Sequence, residues 1–74
     1  MITLAVGIRR TREDQAQFGD IVIVDDDGSF SAPAGWKSII DRRLRGRARI
    51  DGQTVVEAIR AIADRQHTLV HEVV

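Results

Sequence analysis

Cysteine and tyrosine are absent from this 74-residue chain, and proline and the other aromatic residues are scarce. Without cysteine the chain can form neither a disulfide nor a thiolate zinc site, the devices that stabilise many very small domains. One tryptophan and two phenylalanines are too few to line a surface on which single-stranded nucleic acid stacks. Stability must therefore come from packing, or from packing helped by oligomerisation.

Long apolar runs are also missing. The longest, residues 21–24, is far below the roughly 20 residues that span a bilayer, so we expect no membrane insertion. Arg9 and Arg10 follow the apolar residues 2–8 instead of preceding them, which is unlike a secretory signal. Together with the lack of cysteine, this order predicts a cytoplasmic protein.

Neither sign of charge is in excess. Eleven basic and eleven acidic side chains give zero net charge, and 43% of the residues are hydrophobic. This composition excludes a disordered chain and argues against a generic polyanion binder. A chain of this length buries only roughly 60% of its unfolded surface and supports one core, so we expect residues 1–74 to form a single compact domain.

Large apolar side chains occupy every second position from Ile2 to Ile8. This period of two predicts a strand near residues 2–9 with one apolar face. Residues 9–20 are mostly polar, and we expect them to form a connecting loop or a frayed helical turn, with Phe18 as the anchor of that loop.

Residues 21–24 are all β-branched, which predicts a central strand near residues 21–25 that is apolar on both faces. An Asp-Asp-Asp-Gly turn follows, and a short strand near residues 29–31 completes a hairpin. The last strand is predicted near residues 68–74.

Between these strands the apolar side chains recur at helical spacing. The first such set is Trp36, Ile39, Ile40 and Leu44. It predicts a helix near residues 36–45 that ends at Gly46. A second helix is predicted near residues 52–66, with Asp51 as its N-cap.

The elements together predict an α+β fold of order β-β-β-α-α-β, in which a small antiparallel sheet packs on two helices. Two helices cover only one face of such a sheet. The second face then requires residues 9–20 or another subunit, and we expect a homodimer or a protein partner there.

Five of the eight residues from position 42 to position 49 are arginines. Arg43 falls within the buried stripe of its helix, so we expect its stem to lie on the core edge or its guanidinium to stack on Trp36. The other four are predicted to form an anion-binding surface; they are Arg42, Arg45, Arg47 and Arg49. The alternative is a solvated helix end whose cations complement the helix dipole.

Asp25, Asp26 and Asp27 form a secondary acidic surface, either a solvated turn or half of a bipolar interaction surface. A divalent-metal nuclease site at these aspartates is the alternative that we do not favour. Their spacing does not fit a calcium-binding EF-hand loop. His67 and His71 share a face, but no third ligand is placed beside them, so we predict no metal site and no cofactor. No nucleophile elbow, phosphate loop or zinc-helix motif occurs, so an enzyme is not expected.

Two segments are similar to known families. Gly-Ser-Phe-Ser at residues 28–31 and Pro-Ala-Gly-Trp at residues 33–36 resemble the turn region of MbtH-like proteins, the small partners of adenylation enzymes. The chain lacks that family's Trp-Pro step and its Trp-Thr-Asp signature. The hairpin, helix and Asp-Gly-Gln-Thr-Val of residues 51–55 are similar to peptide-recognition domains of the PqqD type, but no third helix is predicted. We carry no function over from either resemblance.

The sequence therefore predicts a small non-enzymatic binding protein that engages an acidic protein or nucleoprotein through its arginines. In size and in strand-helix order it is similar to anti-CRISPR proteins, inhibitors of the class that phages and mobile elements encode. The alternative is a nucleic-acid-binding accessory domain that uses the same arginines without sequence specificity. A helix-turn-helix that reads bases is not expected, because the second helix would present Glu57 and Asp64 to the phosphates and repel them.

Overall fold

The computed structural model describes residues 1–9 and 16–73 and has the predicted α+β architecture. The elements follow in chain order: β1 (Ile2–Arg9), β2 (Ala16–Val24), β3 (Phe30–Ser31), α1 (Ala34–Leu44), α2 (Gly52–Arg65) and β4 (Thr68–Val73). The strands form one four-stranded antiparallel sheet in the order β3-β2-β1-β4. The predicted element order is thus confirmed. Residues 10–15 of the predicted loop, and residue 74, lie outside the described residues.

Strand β2 begins at Ala16, five residues before the predicted position. Its first residues pair with β1, with Gly7 opposite Phe18 and an irregularity in the register between Val6 and Gly7. Strand pairing is made by backbone groups, so the polar composition of this stretch does not prevent it. The prediction that Phe18 anchors a loop was wrong, because Phe18 lies within a strand.

The core forms where one face of the sheet meets the two helices. From the sheet the buried side chains are Leu4, Val6, Val22 and Val24. From the helices they are Ile40, Leu44, Val55, Ala58, Ile59 and Ile62. Because these positions follow a period of two in the strands and helical spacing in α1 and α2, the sequence pattern specifies this layer.

The first turn of α2 is held by the predicted N-cap. The backbone N–H and the hydroxyl of Thr54 both donate to Asp51 Oδ1, each at 2.9 Å. Helix α1 ends at Leu44, and Gly46 follows with a φ of 82°. Glycine reaches this left-handed conformation at no steric cost, which explains why the helix stops here.

The acidic hairpin turn packs against the start of α2. Gly28 N–H donates to the Asp25 carbonyl at 3.0 Å, and Gly52 N–H donates to the Asp26 carbonyl at 3.0 Å. A Cβ on Gly52 would lie 2.6 Å from the Asp25 carbonyl oxygen. The turn and the helix therefore meet through backbone atoms.

The second face of the sheet, called here the outer face, carries no helix among the described residues. The register and the alternation of side chains place on it Thr3, Ala5, Gly7, Phe18, Ile21, Ile23, Leu69, His71 and Val73. β2 lies inside the sheet, as predicted for a central strand, yet Ile21 and Ile23 remain 50% and 37% exposed. The pattern of residues 21–24 thus indicates two apolar faces, of which the described residues bury only one.

Candidate arginine-lined groove

An open groove of about 390 Å³ lies between the C-terminal parts of α1 and α2. We call it the arginine groove, and its lining consists of Ile39, Arg42, Arg43, Ile62, Arg65 and Gln66. Its volume is within the range of roughly 300–1,000 Å³ that is usual for ligand sites.

The same local pattern on each helix builds the two walls. In α1, Arg42 and Arg43 follow Ile39 by three and four residues, and in α2 Arg65 and Gln66 follow Ile62 at the same spacing. Residues three and four apart share one face of a helix. Since Ile62 is buried and the arginines are exposed, isoleucines form the floor and guanidinium groups form the rim.

The rim arginines have no carboxylate partner among the described residues. The ion pairs in that part of the chain join Lys37 to Asp41 at 3.9 Å, Arg60 to Glu72 at 3.9 Å and the N-terminal amine to Asp26 at 3.5 Å. Each guanidinium group carries five N–H donors in a planar arrangement that matches a carboxylate. The rim therefore offers several donors to an anionic ligand.

All three rim arginines lie in or next to the last turn of their helices. The carbonyl end of a helix has a partial charge of about −0.5, which stabilises a cation placed there. The same partial charge reduces the attraction that a bare anion would feel. A ligand of this groove must therefore gain affinity from the apolar floor as well as from the arginines.

The predicted anion-binding set is divided in the structure. Arg42 lines the arginine groove, whereas Arg45, Arg47 and Arg49 are exposed in the connection between α1 and α2 and do not line it. Hydrogen bonds from Thr54, and then the nearby Arg49, lower the pKa of Asp51 from its ordinary value of 3.8. Arg49 thus already has a carboxylate in its neighbourhood.

Two positions were predicted for Arg43: the one at the core edge agrees with its place in the arginine groove, whereas no stack on Trp36 is found among the described residues. Arg43 is exposed and lines the arginine groove beside Ile39, and the cation–π contact found among the described residues places Lys37 over Phe30 at 5.5 Å. Helical spacing correctly put Arg43 on the face of α1 that carries Ile39. The surroundings of that face depend on how α2 packs against α1. The spacing of residues within α1 does not specify this packing.

Sequence reasoning missed Arg65 and Gln66. A signal was nevertheless present, because the step from Ile62 to Arg65 repeats the step from Ile39 to Arg42 at the end of the other helix. The isoleucine-to-arginine step occurs once on each helix. It indicates a shared site only if the C-terminal ends of the two helices are neighbours, which the sequence does not show.

The acidic surface, Asp25, Asp26 and Asp27, stays exposed at the hairpin turn. The hydroxyl and the N–H of Ser29 donate to Asp27 Oδ1 at 2.7 and 2.9 Å, and these hydrogen bonds lower the pKa of Asp27 below 3.8. The turn packs on the start of α2, and the arginine groove lies at its end. The 14 residues of α2 extend over about 21 Å, so the two charged regions are separated.

The two histidines are not brought together. His67 precedes β4 with a φ of 54°, while the His71 ring lies on the outer face with its centroid 5.9 Å from that of Phe18. Within residues 1–9 and 16–73, no three His, Asp or Glu side chains form a group that could hold a metal ion.

No helix in the described ranges is long and apolar enough to cross a bilayer. Comparison with models of protein families, with curated proteins and with solved structures finds no match to this chain.

Proposed function

We propose that this chain is a small non-enzymatic binding protein whose arginine groove takes an acidic segment of a protein or nucleoprotein. The observation that carries the proposal is the convergence of Arg42, Arg43 and Arg65 around an apolar floor. We further propose that it is an inhibitor or adaptor of the class that phages and mobile elements encode, acting in the cytoplasm. Its small size, zero net charge and lack of cysteine support this assignment.

The chemistry of the groove favours a segment that is acidic and apolar at once. Carboxylates can accept paired hydrogen bonds from the rim arginines, and a leucine-sized side chain can pack on Ile39 and Ile62. The Gln66 amide has both a donor and an acceptor, which suits the backbone of a bound peptide.

Nucleic acid fits the same groove less well. Single strands bind by stacking bases on aromatic rings, and the floor here is aliphatic. Phosphates alone would depend on charge, which the two helix ends reduce. A protein segment uses both the rim and the floor, so we favour it over the nucleic-acid alternative.

The test is fluorescence anisotropy with a labelled peptide of glutamate and leucine residues. We expect Arg43→Ala and Arg65→Ala each to weaken binding about threefold to tenfold, because each removes one charge-assisted contact. Arg45→Ala and Arg47→Ala are matched controls that remove the same charge outside the groove, and they should retain most of the affinity. A second peptide with serine in place of leucine should bind more weakly to every variant.

Equal losses at all four arginines would contradict the groove as the site and favour a diffuse basic surface. Labelled oligothymidine serves as the competing probe. If it binds more tightly than the peptide, with affinity that falls steeply with salt, the protein proposal is wrong and the nucleic-acid alternative holds.

A further inference from the structure

The outer face has a ridge and a trough that run along the strands. The central strand β1 presents only small side chains there: Thr3, Ala5 and Gly7. The register places larger side chains on both sides, with Phe18, Ile21 and Ile23 on β2 and Leu69, His71 and Val73 on β4. Ala5 is only 6% exposed on this uncovered face, because it lies between Ile21 and His71 of the neighbouring strands. β1 is therefore the floor of a trough, and β2 is its larger apolar ridge.

At these nine positions there is no carboxylate, amine or guanidinium group, and His71 is the single ionisable side chain. Strand β1 continues to Arg9, which pairs with Ala16 at the end of the strand. Two like-charged surfaces repel one another, but two neutral apolar surfaces can pack together. The face is therefore electrostatically compatible with a second copy of itself. A strongly charged partner would find no complementary charge at these nine positions.

Residues 10–15 are a poor alternative cover. Their sequence, Arg-Thr-Arg-Glu-Asp-Gln, contains no apolar side chain that could replace water over Ile21 and Ile23. Burying four charged groups there would cost free energy unless each were paired.

We propose that the outer face is a homodimer interface in which the β2 ridge of each copy packs into the β1 trough of the other. A two-fold axis parallel to the strands, between two sheets about 10 Å apart, produces this arrangement. Ile21 then lies over Ala5 of the partner subunit, and the reverse contact is made by symmetry. An axis perpendicular to the strands would place ridge on ridge instead. This interface is independent of the arginine groove and goes beyond the function proposed for it.

The size of the face sets the expected affinity. Three strands about 4.8 Å apart, paired over six residues of about 3.3 Å each, give a flat area of roughly 300 Å² per copy. A standard interface buries roughly 800 Å² per partner. We therefore expect a weak, transient dimer.

Sedimentation velocity of the full chain from about 5 to about 500 µM, the range in which a weak dimer would dissociate and form, tests the proposal. The wild type should shift from monomer to dimer, and Ile21→Lys should raise the dissociation constant at least tenfold. Ile50→Lys is the control, because Ile50 is also a partly exposed isoleucine, at 38% against 50% for Ile21, and lies outside the face. Circular dichroism verifies that each variant is folded. A wild type that stays monomeric throughout, or an Ile21→Lys chain that dimerises like the wild type, would overturn the proposal.

Cross-linking tests the register without relying on a destabilising variant. The chain has no cysteine of its own, so single cysteines report unambiguously. The same two-fold axis places Ile23 over Thr3 of the partner subunit, and both positions are more accessible than Ala5. Chains with Thr3→Cys are mixed with chains with Ile23→Cys and treated with a short bis-maleimide, which should give a covalent heterodimer. Ile50→Cys mixed with either should give none. Equal cross-linking of all three pairs would contradict the ridge-in-trough arrangement.

Discussion

Two glycines allow the acidic turn and α2 to approach through their backbones. Gly28 has a φ of 94°, and a Cβ on it would lie 2.8 Å from the Ile50 carbonyl oxygen; for Gly52 the corresponding distance to the Asp25 carbonyl oxygen is 2.6 Å. Real Cβ atoms do not approach backbone this closely, so either side chain would force the turn away from the helix. The local sequence predicts the N-cap Asp51, but Gly52 looks ordinary until the partner turn is known.

We expect Gly28→Ala and Gly52→Ala each to lower the free energy of unfolding by about 1–3 kcal/mol. Gly35→Ala is the control, since a Cβ at this position of α1 meets nothing within 4 Å. It should leave the stability unchanged or raise it by less than about 1 kcal/mol, because Gly35 lies in the first turn of α1 and not in its interior. Urea denaturation measures all three, and a Gly52→Ala chain as stable as Gly35→Ala would contradict the close packing.

Hydrogen bonds to two carboxylates, the N-cap Asp51 and the turn residue Asp27, also make stability depend on pH. Hydrogen bonds from Thr54 lower the pKa of Asp51, and hydrogen bonds from Ser29 lower that of Asp27, in each case from 3.8. A carboxyl with a lower pKa in the folded state stabilises the fold above its unfolded pKa. That contribution is lost as the pH falls through the folded value.

The melting temperature should therefore drop as the pH falls below about 4. Asp51→Asn keeps an oxygen that can accept the Thr54 hydrogen bond but does not titrate, so its drop should be smaller. Melting curves between about pH 6 and pH 2 measure the difference. Identical profiles for the two proteins would show that the cap does not contribute to the pH dependence.

At the scale of elements, β1 is the strand on which the others depend. It is paired on one side with β2 and on the other with β4, whereas β3 contributes only two residues. Its alternation of large and small residues is readable in the sequence, because one face is buried and the period of a strand is two. The early start of β2 was not readable, since pairing there rests on backbone groups and on the register.

Amide hydrogen exchange should reflect this difference between strands. We expect the amides of residues 3–7 in β1 to exchange at least about tenfold more slowly than those of β3, because local opening is easiest where few contacts hold a segment. Exchange followed by NMR supplies the rates. Comparable protection in β1 and β3 would contradict the central position of β1.

For the whole molecule, zero net charge conceals separated charges. Arginines surround a groove at the ends of both helices, and aspartates occupy the turn at the start of α2. The arginine-rich stretch and the acidic turn were both evident from composition. The groove was not, because it depends on how α1 and α2 pack, and helical spacing describes each helix separately. Arg43 and Arg65 consequently gained their proposed role only from the structure.

The proposed binding site can be tested directly by titrating the labelled protein with the glutamate-leucine peptide and following its backbone amides by NMR. The largest shifts should be concentrated at residues 39–43 and 62–66, where the two helix ends form the arginine groove. They should be small at residues 45–49 and on the outer face at Ile21 and Ile23. Shifts centred on residues 45–49, or shifts confined to the outer face, would contradict the groove as the binding site.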